Sequence, residues 1–382
     1  MGMIAAVNSP VWDNSPWTPL PRLEGAVRAE ACVVGLGGSG LAALEELRAR
    51  GVDAVGVDAV AVGAGAAGRN GGFVLAGLAK FYHETVAQFG RENAAAIYRA
   101  TAEEIRRQAA SLPGVFKLNG SLRLAADAEE LTDCRAHLAA LQADGFPAEW
   151  YRGPEGEGLL LSTDGVFQPL ARVRTMARRL GEAGVRLFER SPVREIIARR
   201  VTTETGTVEC ERVIVAVDGR LEQLFPAELA GRVRTARLQM LATGPAPEVS
   251  FPRAVYWRHG FEYWQQLPDG SVALGGFRDH ALEEEWTAAA EPTDAMQRRI
   301  ERFLREHLRV RAPVTHRWAA SVGYTPDGLP LLEELRPGLW VLGGYNGTGN
   351  IVGALCGRAA AALACGERPA WAGLLQKARS GR

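Results

Sequence analysis

The chain has 382 residues, with 44 Lys plus Arg against 44 Asp plus Glu, so its formal net charge is zero; 47% is hydrophobic and 23% charged. These values exclude disordered and fibrous classes, and they leave no surplus positive charge to grip nucleic acid. At roughly 150 residues per domain the length points to two domains or one interleaved pair. Cys32, Cys134, Cys210, Cys356 and Cys365 stand singly, with no CxxC, which predicts reduced thiols and a cytoplasmic protein. The first residues lack a basic start followed by an apolar stretch, so no signal peptide is expected. The most apolar segment, from Ile351 to Cys365, contains Arg358 and is shorter than the roughly 20 residues a membrane span needs. No membrane and no nucleic-acid partner are therefore expected.

In chain order, residues 1–27 are rich in Pro and Trp and suggest an extended arm. A βαβ pattern follows: strand 31–35, an amphipathic helix 41–50 and strand 52–58. A glycine-rich loop occupies 63–72. Helices are predicted at 92–110 and 128–143, with a strand at 121–124 between them. A helix at 170–183 leads into strand 185–189, and Arg212–Val217 predicts a parallel strand buried on both faces. Strands 261–267 and 271–275, joined by Pro268-Asp269-Gly270, predict a hairpin. A helix at 293–307, a strand at 339–342, a glycine-rich turn and a helix from about 350 to 365 close the chain. Nucleotide-type elements thus stand at the beginning, middle and end. The fold expected is α/β (α+β), a discontinuous Rossmann-like domain over 28–112, 166–236 and 314–382. A mixed, largely antiparallel substrate domain would occupy 113–165 and 237–313.

The chemistry is carried by glycine. Gly35-Leu36-Gly37-Gly38-Ser39-Gly40 satisfies GxGxxG directly after an apolar strand and before a helix. Gly35 permits the tight turn, Gly37 lets the backbone touch a pyrophosphate, and Gly40 allows close helix–strand packing. Asp58, 18 residues after Gly40 on the second strand, is placed to accept hydrogen bonds from ribose hydroxyls. These residues admit NAD or FAD. The second run, Gly65-Ala66-Ala67-Gly68-Arg69-Asn70-Gly71-Gly72, suits a flavin, whose ring edge needs backbone N–H groups. The third, Gly343-Gly344-Tyr345-Asn346-Gly347-Thr348-Gly349-Asn350, precedes a helix whose positive end would suit a reduced flavin's negative charge.

With these runs the chain resembles the D-amino-acid oxidase superfamily of FAD-dependent amine oxidoreductases, most closely its gamma-glutamylputrescine oxidase-like subgroup. The shared segments include VVGLGGSG at 33–40, the GRNGG loop at 68–72, RVIVAVDG at 212–219, TPDGLP at 325–330 and GGYNGTGN at 343–350. The resemblance implies FAD, a glutathione-reductase-type fold and hydride removal from a carbon bearing an amine. It also implies that Val193, Ala216 and Asp218 lie along the nucleotide. Departures shape the expectation. Asp58 stands where the family usually has Glu, Ala59 where a basic residue often follows, and Ala67 replaces a serine. Ala320 occupies the position of the cysteine that tethers flavin in sarcosine oxidases, so FAD is expected to be non-covalent. Val322 takes the place of the arginine that grips a substrate carboxylate in glycine and D-amino-acid oxidases.

By the same resemblance Tyr263 is the substrate-side tyrosine, in a Tyr-x-Arg pattern where this chain has Gln265. Period-two alternation puts Phe261, Tyr263 and Gln265 on one face. Tyr256, Trp257, Arg258 and Tyr345 add to an aromatic-rich wall suited to a cationic or long amine. Arg258 is the residue that could still hold a carboxylate. The histidines form no ligand spacing, so no metal is expected. The function expected is oxidation of an amine or amino acid by hydride transfer to flavin, with O2 or another acceptor taking the electrons. The alternatives are a dehydrogenase of the same fold and a flavin-binding protein without turnover.

Overall fold

The computed structural model describes residues 6–14, 16–197 and 199–380. The first five residues of the arm and Ser15 lie outside that description. The chain divides into two compact units, one of residues 1–14, 69–168 and 236–321, the other of 15–68, 169–235 and 322–382. Residues 69–112 thus fall in the unit that holds the substrate-type strands, although the βαβ pattern suggested that they continue the nucleotide domain. Their two longest helices, Tyr82–Phe89 and Arg91–Ser111, turn apolar side chains to those strands rather than to a parallel sheet.

The unit of 15–68, 169–235 and 322–382 is built on a six-stranded sheet. Its order is Arg186–Phe188, Ala54–Val57, Ala31–Val34, Arg212–Val215, Leu339–Gly343, Leu331–Arg336; all neighbours are parallel except the last pair. Alternation divides each strand between two layers. Cys32, Val34, Val55, Val57, Val213, Val215 and Val341 face one core with Val201 and Val208 of a four-stranded sheet. The opposite face meets the helix Gly38–Ala49: a β-carbon at Gly56 would sit 2.8 Å from Leu44. That helix packs on Val352–Ala364, so closely that a β-carbon at Gly357 would collide with the Ser39 carbonyl. The closing helices are glycine- and alanine-rich for this reason.

The other unit is built on a nine-stranded sheet. From Arg234–Pro245 the order runs Ser271–Gly276, Glu262–Gln266, Ala254–Trp257, Ser121–Leu124, Gly156–Leu161, Glu149–Gly153. On the far side of Arg234–Pro245 lie Val314–Tyr324 and Ala6–Val7. One face is covered by the helix Asp294–Glu306, whose Met296, Ile300 and Leu304 repeat every four residues and pack on Leu122, Val255, Trp264 and Leu274. On the other face, Leu159 and Leu161 carry Phe81, Tyr82, Tyr98, Cys134 and Leu141. The helix Ala128–Ala143 starts where Asp127 accepts the backbone N–H groups of Glu129 and Glu130, and both it and strand Ser121–Leu124 have the bounds read from sequence. Among the described residues, no helix is long and apolar enough to cross a membrane.

Candidate functional site

The dinucleotide end is made of backbone. Gly35 has φ +100°, and a β-carbon there would lie 2.6 Å from the Ala216 carbonyl oxygen. A β-carbon at Gly40 would collide with the carbonyl of Gly35. At Gly37 a β-carbon would already meet Ala67 Cβ at 3.4 Å, just before the first turn of helix Gly38–Ala49. No side chain caps that helix at Gly37. A helix start without a side-chain cap leaves its first N–H groups to an anion.

Asp58 lies just past its strand and is half-buried, while Ala59 is exposed. Asp58 Oδ2 accepts the Leu36 N–H at 2.8 Å and Oδ1 the Val60 N–H at 2.9 Å. Burial pushes its pKa up, against the pull of those two bonds. Each oxygen keeps a further lone pair, so the carboxylate can hold the glycine turn and still accept from a ribose. Ala216 is buried and its N–H bonds to Val34, and Val193 opens the strand Val193–Ile197 half-exposed.

Asp218, at φ +46°, organises the closing loop: Oδ1 accepts the Tyr345 N–H at 3.1 Å and Oδ2 the Gly323 N–H at 3.3 Å. Burial pushes its pKa up to about 6 in spite of these bonds. Gly344 has φ +63°, with room that ends 2.6 Å away at Thr325 Cγ2. Asn346 Oδ1 accepts the Thr325 N–H at 2.9 Å, and Thr348 donates its hydroxyl to the Tyr345 carbonyl at 2.7 Å. Gly347 at φ +85° completes the turn before Val352–Ala364. Tyr345 itself is buried, its ring 3.0 Å from where a β-carbon on Gly349 would lie and 3.1 Å from one on Gly353. It packs beneath the start of the helix.

Two residues here have no role in the sequence reading. Glu189 is 1% exposed and accepts from Trp17 Nε1, the Leu20 N–H and the Val62 N–H at 2.9, 2.9 and 2.7 Å. One carboxylate thus ties the arm to the loop after Asp58. Arg172, also 1% exposed, places Nη1 2.8 Å from a would-be β-carbon on Gly38 and donates Nη2 to the Asn350 carbonyl at 2.9 Å. Only the packing of helix Pro169–Glu182 brings it there.

In the nine-stranded unit the GRNGG segment is held from several sides. Arg69 donates Nε to the Ala319 carbonyl at 2.8 Å and Nη2 to Asn8, while burial pushes its pKa down. Trp318 Nε1 donates to the Arg69 carbonyl and Trp12 Nε1 to that of Asn70, both at 2.8 Å. Asn70 Oδ1 accepts the Gly72 N–H at 2.8 Å, and Gln265 Nε2 donates to the Gly71 carbonyl at 2.5 Å. Arg69, Asn70 and Gln265 therefore fix the loop's shape through its backbone.

Tyr263 lies in a slot that two glycines create. A β-carbon on Gly275 would sit 2.7 Å from its ring and one on Gly71 3.2 Å from it. Its ring centroid is 5.9 Å from those of both Phe73 and Tyr256. Arg258 stands apart from this row: it pairs with Glu262, Nε to Oε2 at 2.8 Å, and with Asp279, Nη1 to Oδ2 at 2.6 Å. Asp279 and Glu262 both hold its pKa up. Glu262, Asp279 and His280 bring ligand-type atoms within 4.8 Å of one another, but Arg258 already joins the two carboxylates.

The model of "DAO: FAD dependent oxidoreductase" matches residues 30–363. The chain belongs to this family. It is an FAD-dependent oxidoreductase of mixed α/β fold. Among curated relatives it is 27% identical over 379 residues to "Probable oxidoreductase OrdL" of Rhizobium meliloti (strain 1021), covering 91% of this chain and 85% of that one. It is 23% identical over 378 residues to "Gamma-glutamylputrescine oxidoreductase" of Escherichia coli (strain K12), covering 92% and 87%. Among solved structures, glycine oxidase from Geobacillus kaustophilus shares the fold with a TM-score of 0.73 at 20% identity, over 90% of this chain and 96% of that one. The side-chain-free backbone at Gly37, the uncapped helix and the half-buried Asp58 carboxylate fit the pyrophosphate and ribose of FAD.

Proposed function

We propose that this family member oxidises amines that lack an α-carboxylate, with FAD held non-covalently. FAD, when bound, supplies a two-electron acceptor for the hydride leaving the carbon beside nitrogen; the amine loses a proton as well and leaves as an imine. Gly37 and Gly38 would hold the pyrophosphate, Asp58 the ribose, and the N-terminus of Val352–Ala364 would stabilise added negative charge. Non-covalent attachment is supported by Ala320 at the tether position and by Cys32, Cys134, Cys210 and Cys356 being buried. These free thiols also support a cytoplasmic setting.

The observation that carries the substrate reading is the row of Phe73, Tyr256 and Tyr263, beside which both expected polar contacts are engaged elsewhere. Gln265 holds the Gly71 carbonyl and Arg258 holds two carboxylates. Aromatic faces attract an ammonium by about 0.5–2 kcal/mol per contact, whereas an α-carboxylate beside Tyr263 would find Arg258 already paired. Tyr263, fixed by Gly71 and Gly275, would orient the amine. Oxygen uptake with a panel of amines, compared with anaerobic dye reduction, tests the reading. Uptake supports an oxidase, dye reduction alone a dehydrogenase. A protein that binds FAD and does neither is a binding protein, which would refute the proposal.

A further inference from the structure

The sheet register brings one cation to the tyrosine row. Tyr263 pairs across its strand with Tyr256, and Tyr256 pairs with Arg123, so the three share one face. The alternation in Ser121–Leu124 agrees, since Leu122 and Leu124 enter the core of the opposite face. Two strand spacings separate Arg123 from Tyr263, about 10 Å. The Arg123 guanidinium lies 4.0 Å from the centroid of the Phe81 ring, and Nη2 makes a long bond of 3.3 Å to the Ala79 carbonyl. Its Nε is buried and has no partner among the described residues.

The carboxylates near it are committed elsewhere. Asp164 accepts from the Ala76 N–H and from Ser121 Oγ, Glu130 from the N–H groups of Ala126 and His259, and Glu84 from the Phe81 N–H. Burial disfavours the Arg123 charge, which Glu130 and Glu84 favour only through space. A half-buried guanidinium, flanked by an aromatic face and short of acceptors, is suited to a carboxylate.

We propose that Arg123 anchors a carboxylate borne by the far end of the amine substrate, two strand spacings from Tyr263. The proposal rests on the amine reading above and deepens it: the substrate class is an ω-amino acid or a longer amine ending in a carboxylate. The neutral row at Tyr256 and Tyr263 then holds the amine and its alkyl chain, and Arg123 sets the length selected.

The test is calorimetric binding of 8-aminooctanoate and octylamine to dithionite-reduced holoenzyme, which cannot turn over. Wild type should bind 8-aminooctanoate about 10- to 100-fold more tightly than octylamine, the ratio expected for one charge-assisted pair. Arg123→Met should abolish that preference while leaving octylamine affinity unchanged, and Arg123→Lys should keep part of it. Equal affinities in wild type, or a preference that survives Arg123→Met, would overturn the proposal. Loss of flavin content in both variants, with octylamine binding falling too, would mark a structural role and overturn it as well. Flavin bleaching by either compound is read separately on the oxidised enzyme: its failure counts against amine oxidation, not against the anchor.

Discussion

The two units make their sites in opposite ways. On the proposed reading, the functional atoms of the six-stranded unit are mainly backbone groups within a few residues of one another, as at Gly35, Gly37 and Gly40, with the Asp58 carboxylate beside them. In the nine-stranded unit they are side chains from distant segments, such as Phe73, Arg123, Tyr256 and Tyr263, aligned by strand register. A backbone site can be destroyed by one methyl group but hardly retuned. A register-built wall can be retuned residue by residue while the fold stands.

Gly40→Ala should break this contrast most severely. Its β-carbon meets a backbone oxygen that cannot swing aside, so the purified protein should carry no flavin, read as the ratio of visible to protein absorbance. Arg258→Ala comes next. It strands the fully buried Glu262, whose own pKa is already raised by burial, and should cost about 3 kcal/mol, the low end for breaking a buried pair. Thermal unfolding should show a Tm lower by several degrees. Relative rates on amines and α-amino acids should stay as they were; a selective loss of amino-acid activity would show that Arg258 grips substrate.

Asp58→Ala removes the acceptor for Leu36 and Val60 and, on the proposed reading, for the ribose. A loss of about 1–3 kcal/mol corresponds to FAD binding weaker by about 5- to 150-fold in fluorescence titration. Gly275→Ala sharpens the comparison from the other side. It pushes on the Tyr263 ring and Met240, so FAD content should hold while anaerobic flavin reduction slows about 10-fold.

The smallest effect is a pH dependence. Burial pushes the pKa of Asp164 up to about 7, so the folded state holds a proton that the unfolded chain releases near 4. Its contribution to stability is present below pH 4 and is lost as pH rises to about 7. The Tm of Asp164→Asn relative to wild type should therefore rise between pH 4 and 7 and then level off.

The same contrast explains what the sequence disclosed. Strand Ala31–Val34, its glycine turn and Asp58 were legible because spacing, apolar run and helix start sit in one window. Helix Ala128–Ala143 was legible as a long run without Gly or Pro. The long strands Arg234–Pro245 and Val314–Tyr324 were not, since they carry no clean alternation and are defined by distant partners. Arg172 and Glu189 escaped notice because a charged residue on an amphipathic element looks solvent-exposed until packing buries it. Arg123 lay in a correctly bounded strand, and its alternation with Leu122 and Leu124 was the available signal. What local pattern could not supply was the neighbour, Tyr256, which register alone provides.

The central claim is that an FAD enzyme presents a neutral aromatic row to the amine, with Gln265 and Arg258, the expected grips on an α-carboxylate, engaged elsewhere. Anaerobic stopped-flow reduction of the bound flavin, comparing long-chain amines with glycine, sarcosine and D-alanine, tests it most directly. The account predicts faster bleaching by the long-chain amines. Faster bleaching by the small α-amino acids would contradict it.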